Sequence, residues 1–363
     1  MPRATAILLN DTTHRYHWGC TATSLGLKSL IAERYDLIDT IPIQTTYTLA
    51  RPPNSLEQFH DPAFFKLHAA ENAELYRRIE QADCVFVNGE GTIHDLLRAA
   101  VNLMYMAFAA RRYLDKPVYV VNHSVYPQSV HAAEAAGAEA FYRGVYAAFD
   151  YIAIRETLSK EIVDRLGLAA ALSFDCLPLT VGRLVAELPE KKRTLAIAGS
   201  ALFLPVALPT LVTFVNKMKR VGYAPLVVSG AQAAPAGDEA RFVAALRTQE
   251  TQDWTFFEAG TLEDWMSAIG SAALLVSGRF HHSLTAFSLR TPFVMLNSNT
   301  PKMSALATML GVPEPLRYDD PNLGPMLEHR ADHALSHDFG RTVFRDDRVH
   351  SFREMARKNL PPD

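Results

Sequence analysis

Short apolar runs recur between longer amphipathic stretches along most of this chain, and that rhythm limits its fold more than any other feature. Apolar runs of strand length suit buried strands, while the longer periodic stretches suit helices. Strict alternation of the two implies largely parallel sheets covered by helices. Strands are expected at 5–10 (TAILLN), 35–42, 83–87 (DCVFV), 117–122 (PVYVVN) and 151–154. Helices are expected at about 20–34, 64–81, 94–112, 131–148 and 156–166. The rhythm breaks over 177–193, where prolines at 178 and 189 and the charged run 190–193 read as a linker. It then restarts, with strands at 195–198, 225–229, 255–258, 274–277 and 292–296. The intervening helices fall at 205–221, 238–249, 262–270, 279–289 and 302–310. The expected architecture is α/β, with two Rossmann-like domains facing across a cleft in the GT-B-like arrangement. The domains are 1–176 and 194–363, joined by the linker 177–193, and a C-terminal helical extension at 347–358 packs back on the fold.

Composition narrows the functional classes. A chain of 363 residues, 48% hydrophobic and 21% charged, has enough apolar material for two cores. Its formal net charge of −3 gives no basic field for nucleic acid, so no nucleic-acid partner is expected. Cys20, Cys84 and Cys176 are odd in number and lack CxxC spacing, which argues against a disulfide framework or a zinc site. No apolar run approaches the roughly 18 residues of a membrane span, and the run 6–9 is too short for a signal peptide, so the cytoplasm is the expectation.

In open α/β sheets ligands bind outside the carboxyl ends of strands, so the strand-to-helix loops carry the candidate chemistry. Ser277-Gly278-Arg279-Phe280-His281-His282 follows one strand and opens a helix. A helix start attracts anions, Arg279 adds a planar donor fork, and His281 and His282 can move protons near neutral pH. Adjacent histidines point in different directions, so one of the pair is expected to face the cleft. No acidic residue stands at metal-ligand spacing here, and no metal is expected. Asn88-Gly89-Glu90-Gly91-Thr92 follows another strand, with Glu90 flanked by glycines as a candidate base or sugar ligand. The bland alternative is a glycine turn with a solvated Glu90 and Thr92 capping the next helix. After the first strand, Asn10, His14, Arg15, His17, Trp18 and Gly19 suit glycan or anion contact, with Gly19 letting the next helix approach the ligand. Asn122 and His123 end a further strand and are candidates for the same cleft.

Taken in order, these elements resemble the polysaccharide pyruvyl transferase family. The resemblance runs from the loop Asn10–Cys20 through the glycine-bearing loop after Asp83 to Arg155-Glu156-Thr157-Leu158-Ser159 with Leu166-Gly167, followed by Asp175. Ser277, Arg279 and His281 match its Ser-x-Arg-x-His element, and Pro292 and Lys302 match the continuation. The resemblance spans residues 5–312 and implies a GT-B-like transferase of exopolysaccharide biosynthesis. Its donor would be phosphoenolpyruvate and its acceptor a glycan, joined as a pyruvate ketal without cofactor or metal. Arg279 and Arg155 would then clamp the anionic donor, His281 would serve as acid/base, and Lys302 would join the substrate contacts. A lipid-linked acceptor would bring the protein to a membrane surface peripherally. The chain departs from the family in carrying Glu90 where the loop has glycine, His14–Trp18 where the loop is short, and Asp175-Cys176 for Asp-Pro. These departures keep a second reading open: a GT-B glycosyltransferase using a nucleotide sugar such as CMP-Kdo, with Glu90 as base or nucleophile. A third reading is a non-catalytic glycan-binding protein, which would not need so many proton-transfer groups at strand ends.

Overall fold

The computed structural model describes residues 2–14, 17–127, 137–232, 237–249 and 253–362. Arg15 lies outside the described residues, as do 131–136 of the helix expected at 131–148. Contacts divide the chain into two compact units, residues 1–14, 24–176 and 353–363 in the first and 15–23 and 177–352 in the second.

The first unit is built on strands β1 (Thr5–Asp11), β2 (Asp36–Pro42), β3 (Cys84–Glu90), β4 (Val118–His123), β5 (Tyr151–Ile154) and β6 (Ala171–Leu172). Their order is β2-β1-β3-β4-β5-β6, with every neighbouring pair parallel. All of β3 is buried, as expected of a parallel strand covered on both faces. The helix Arg98–Tyr113 is buried continuously from Ala100 to Ala110, so it reads apolar all round rather than as a surface stripe. Phe59, Tyr105, Phe108 and Phe141 pack edge-to-face around it.

The second unit holds β7 (Lys192–Ser200), β8 (Ala224–Val228), β9 (Thr255–Phe257), β10 (Ala272–Gly278) and β11 (Phe293–Met295), parallel in the order β11-β10-β7-β8-β9. Each sheet therefore reverses its direction of growth at one seam, between β1 and β3 in the first unit and between β7 and β10 in the second. Such seams leave a crevice at the strands' carboxyl ends.

Several boundaries differ from the sequence expectation. Asn88, Gly89 and Glu90 are not a turn: β3 runs through Glu90, whose register partner on β4 is His123. The helix expected at 64–81 is two, Pro62–Glu71 and Ala73–Glu80, broken at Asn72, whose Nδ2 donates to the carbonyls of Ala50 and His68. The helix expected from residue 94 begins at Arg98, after Asp95 at φ 50°. The stretch 177–193, read as a linker, carries the helix Leu177–Leu184 and groups with the second unit. The Thr180 hydroxyl donates to the Ala22 carbonyl at 2.6 Å, within that same unit. The C-terminal helix is Asp346–Arg357, and from Arg353 onward the chain belongs to the first unit, not the second as expected.

Candidate active site

In the second unit the seam lies where Ser200 ends β7 and Gly278 ends β10. A Cβ at Gly278 would sit 2.6 Å from the Ser200 Cβ and 2.8 Å from the Asn297 carbonyl oxygen, so the chain can pass here only as glycine. Arg279 follows in extended conformation as the N-cap of the helix Phe280–Ser288 and places no side-chain cap on it. The cap residue itself thus offers no side-chain acceptor to the start of that helix. The Arg279 backbone N–H donates to the Ser277 hydroxyl at 3.0 Å, so Ser277, fully buried, shapes the turn. The Arg279 guanidinium is largely buried. Its Nη2 lies 3.5 Å from Glu239 Oε2, and its buried Nε has no hydrogen-bond partner among the described residues. Tyr318 is also buried here, and its hydroxyl makes no well-formed hydrogen bond. Its backbone N–H donates to Asn297 Oδ1 at 3.2 Å. Burial pushes the phenol up, against the opposing pull of Ser200 and Arg279 beside it, so it remains a neutral donor.

His281 is buried on the first turn of the same helix. A Cβ at Gly19 would overlap the His281 ring, so Gly19 is there to let the imidazole pack, not to admit a ligand. His17 is the N-cap of the helix Trp18–Ile31: its Nδ1 accepts the Gly19 N–H at 3.0 Å, and its carbonyl accepts from Cys20 and Thr21. The His17 ring stands 6.1 Å from that of His281 and 5.5 Å from that of His282. His282 is fully buried, with Trp265 Nε1 donating to its Nε2 at 3.4 Å. Burial, aided by the neighbouring Arg279 and His281, holds it well below the usual histidine range. His282 is thus a neutral packing group, and of the histidine pair it is His281 that neighbours the open helix start. Lys302 opens the helix Lys302–Leu310 and is partly exposed.

His17, Cys20 and His281 offer ligand atoms within 4.8 Å of one another, a donor set of the kind zinc prefers. A ligating histidine normally donates its other ring N–H to an acceptor. The His17 Nδ1 instead accepts one, which puts the ring proton on Nε2 and leaves neither nitrogen suited to a metal.

The seam of the first unit is filled differently. Glu90 (φ 40°), the last residue of β3, and Asn10 (φ 62°) and Asn122 (φ 52°), the last but one of β1 and β4, are in left-handed conformation, which costs strain in any residue with a side chain. Asparagines close on one another across these ends. Asn10 Nδ2 donates to the Asn88 carbonyl (2.5 Å) and the Thr92 hydroxyl (3.0 Å), and Asn122 Nδ2 donates to Asn88 Oδ1 (2.8 Å). Asn122 is in turn held by Asn359, whose Oδ1 accepts its backbone N–H at 2.6 Å, while Asn359 Nδ2 donates to the Phe174 carbonyl. A Cβ at Gly89 would overlap the His123 ring, whose Nε2 meets the Tyr146 hydroxyl at 2.5 Å. Burial, and then the Arg155 charge, push His123 down to about 3, so it stays neutral. Asn10, Gly89, Thr92, Asn122 and His123 are thus packing and network groups, while Glu90 ends buried at the tip of β3 and Gly91 is half-buried beside it. His14 is exposed in this unit.

Arg155 departs furthest from its expected role. It is 1% exposed, donating from Nη1 to Asp175 Oδ2 at 2.7 Å and from Nε to the Ser124 hydroxyl at 2.8 Å. It is an internal ion pair rather than an anion clamp. The Glu156 that follows caps the helix Thr157–Arg165, accepting the Ser159 N–H at 2.9 Å, so the Arg-Glu-x-x-Ser element is a helix start locked to a buried charge. Sequence reasoning missed Glu239, Tyr318 and Asn359. No local motif marks any of them, because each acts on a residue distant in the chain.

A model of the polysaccharide pyruvyl transferase family matches residues 19–300. Among curated proteins nothing matches. Among solved structures, S. aureus MnaA with UDP is similar at TM-score 0.59 and 10% identity, over 96% of this chain and 94% of that one. UDP-GlcNAc 2-epimerase from Neisseria meningitidis bound to UDP-GlcNAc is similar at 0.53 and 11%, over 97% and 99%. The Glycyrrhiza uralensis enzyme UGT73P12, complexed with glycyrrhetinic acid 3-O-monoglucuronide, is similar at 0.54 and 9%, over 97% and 91%. At such identities the likeness shows the fold alone, which is the GT-B type with two Rossmann-like domains.

Proposed function

The chain belongs to the polysaccharide pyruvyl transferase family, and we propose that it transfers a pyruvyl group from phosphoenolpyruvate to a sugar of a surface polysaccharide or its precursor. One observation carries this reading. Arg279 stands at an uncapped helix start on the β7–β10 seam, its Nε buried and unpartnered among the described residues, with His281 on the turn it opens. A guanidinium fork and helix N–H groups together suit a donor bearing both phosphate and carboxylate. In the reaction a proton adds to the terminal methylene carbon of phosphoenolpyruvate and makes it a methyl group. Two sugar hydroxyls bond to the central carbon and the carbon–oxygen bond to phosphate breaks. Of the two hydroxyl protons, one balances the proton taken by carbon and the other leaves with phosphate. His281 is the group assigned to these transfers, and Arg279 steadies the charge building on the leaving phosphate.

Acceptor-dependent phosphate release from phosphoenolpyruvate tests the reading. Stabilisation by UDP or CMP with none by phosphoenolpyruvate would overturn it. That outcome would favour glycosyl transfer from a nucleotide sugar, a reading supported by the UDP and UDP-GlcNAc bound in proteins of the same fold. There the same arginine and helix start would hold the nucleotide's phosphates.

A further inference from the structure

Arg279 and His281 lie two positions apart on one helix start, yet different parts of the unit hold them. The Arg279 fork leans on Glu239, and the His281 ring packs on Gly19 at the start of the helix Trp18–Ile31. Both supports lead to one carboxylate. Glu239 is 1% exposed, on the first turn of the helix Gly237–Arg247. Its Oε1 accepts the Gly230 N–H at 2.7 Å, while its Oε2 faces Arg279 Nη2 at 3.5 Å. The Gly230 carbonyl then accepts the Trp18 N–H at 2.7 Å, fixing the first turn of the helix Trp18–Ile31. A Cβ at Gly230 would overlap the His17 ring and come within 2.8 Å of His282, so the Gly230 peptide can serve as this bridge only because it has no side chain.

We propose that Glu239 is a positioning residue that sets Arg279 and His281 in mutual register for an anionic donor; this rests on the function proposed above. At 3.5 Å the contact with Arg279 is an ion pair rather than a tight hydrogen bond, so the fork is aimed without being saturated. The carboxylate also offsets the arginine charge while the donor is away, since an unpaired buried cation is costly. The other carboxylate oxygen, through Gly230, holds the helix start against which His281 packs.

Glu239→Gln tests this in the full-length protein. The amide keeps an acceptor for the Gly230 N–H, so the fold survives, but it removes the charge that aims Arg279. Modification of Arg279 by phenylglyoxal, mapped by mass spectrometry, is the readout that needs no turnover, and it is expected to speed up several-fold. With phosphoenolpyruvate and a glycan acceptor, kcat is expected to fall by about tenfold to a hundredfold, as for misplaced catalytic groups, while KM for the donor does not rise. Glu239→Asp keeps the charge one methylene short and should give an intermediate modification rate. Wild-type Arg279 reactivity and kcat in the amide variant, with only a lower Tm, would mark Glu239 as merely structural and overturn the proposal. Faster Arg279 modification in a protein whose wild type uses no phosphoenolpyruvate would keep Glu239 as the support of Arg279 and overturn the donor assignment instead.

Discussion

The two sheets reverse direction at equivalent seams, but they fill those seams in opposite ways. At the β1–β3 seam, Asn10, Asn88 and Asn122 donate to one another and to backbone carbonyls, and Asn359 closes the chain. At the β7–β10 seam, Arg279 Nε and the Tyr318 hydroxyl are buried without a well-formed partner among the described residues. Buried polar groups normally find partners, so the left-over donors beside Arg279 point to a ligand, while the asparagine relay points to scaffold even though Asn10 Oδ1 and His123 Nδ1 are also left over among the described residues. The contrast extends to the two arginines that the family pattern singles out. Arg155 is locked to Asp175, whereas Arg279 is only steadied by Glu239.

Replacing each arginine by alanine should separate these roles most sharply. Arg155→Ala leaves Asp175 as a buried, unpaired charge and should cost about 3–5 kcal/mol of stability, read as a large fall in Tm. Arg279→Ala likewise strips the buried Glu239 of its cation, but that contact is 3.5 Å against 2.7 Å for Arg155–Asp175, so Tm should fall less, while turnover should drop by about 10²–10³-fold, the scale of a lost anion-stabilising donor. A melt at the wild-type temperature for the Arg155 variant would dissolve the contrast between the seams, as would full turnover for the Arg279 variant. His281→Gln should follow, with turnover down about a hundredfold and partly restored by added imidazole, as for a lost proton-transfer group. A variant with wild-type rates would remove His281 from the mechanism.

What could be read in advance follows the same division. The strand and helix rhythm was legible because fully buried parallel strands such as β3 leave unbroken apolar runs. Arg279 and His281 were legible because a strand end, a glycine and a helix start are adjacent in sequence. Arg155 was misread because Asp175, its partner, lies 20 positions away, and a buried pair leaves the same local pattern as an exposed clamp. Gly19 is expected from the sequence to let a helix approach a ligand, yet it makes room for the ring of His281, as Gly89 does for that of His123. Glycine in a loop looks the same whether its neighbour is a substrate or an imidazole. A C-terminal helix packing back on the fold was legible, but the unit that residues 353–363 join was not, because their tethers, Asn359 to Asn122, the Lys358 carbonyl to Tyr151 and Arg357 to Glu33, pair residues distant in the chain.

Asn359 gives a smaller prediction. Asn359→Ala strips the acceptor from the Asn122 N–H and the donor from the Phe174 carbonyl, both buried in the first unit. Orphaning a buried backbone donor should cost about 1–3 kcal/mol in denaturant unfolding. An unchanged midpoint would mean that the relay closes without the C-terminal segment.

The smallest effect at neutral pH, and the most diagnostic of a sealed seam, is in His123. Burial brings its pKa from 6.5 to about 3 in the folded protein. Between those values the unfolded chain binds a proton that the native state refuses, so stability must rise with pH across that window. It is fully present above 6.5 and is lost as the pH falls toward 3, at about 1.4 kcal/mol per pH unit. His282 in the second unit is depressed by burial as well and contributes with the same sign, so the slope of the whole protein does not isolate either ring. His123→Gln does, because an amide can still meet the Tyr146 hydroxyl but takes up no proton. Unfolding free energies measured from pH 7 down to pH 4 should then fall less steeply than in the wild type, by about one proton's worth of slope. An identical slope would mean that His123 protonates within the fold, and the first seam would be open to water rather than sealed.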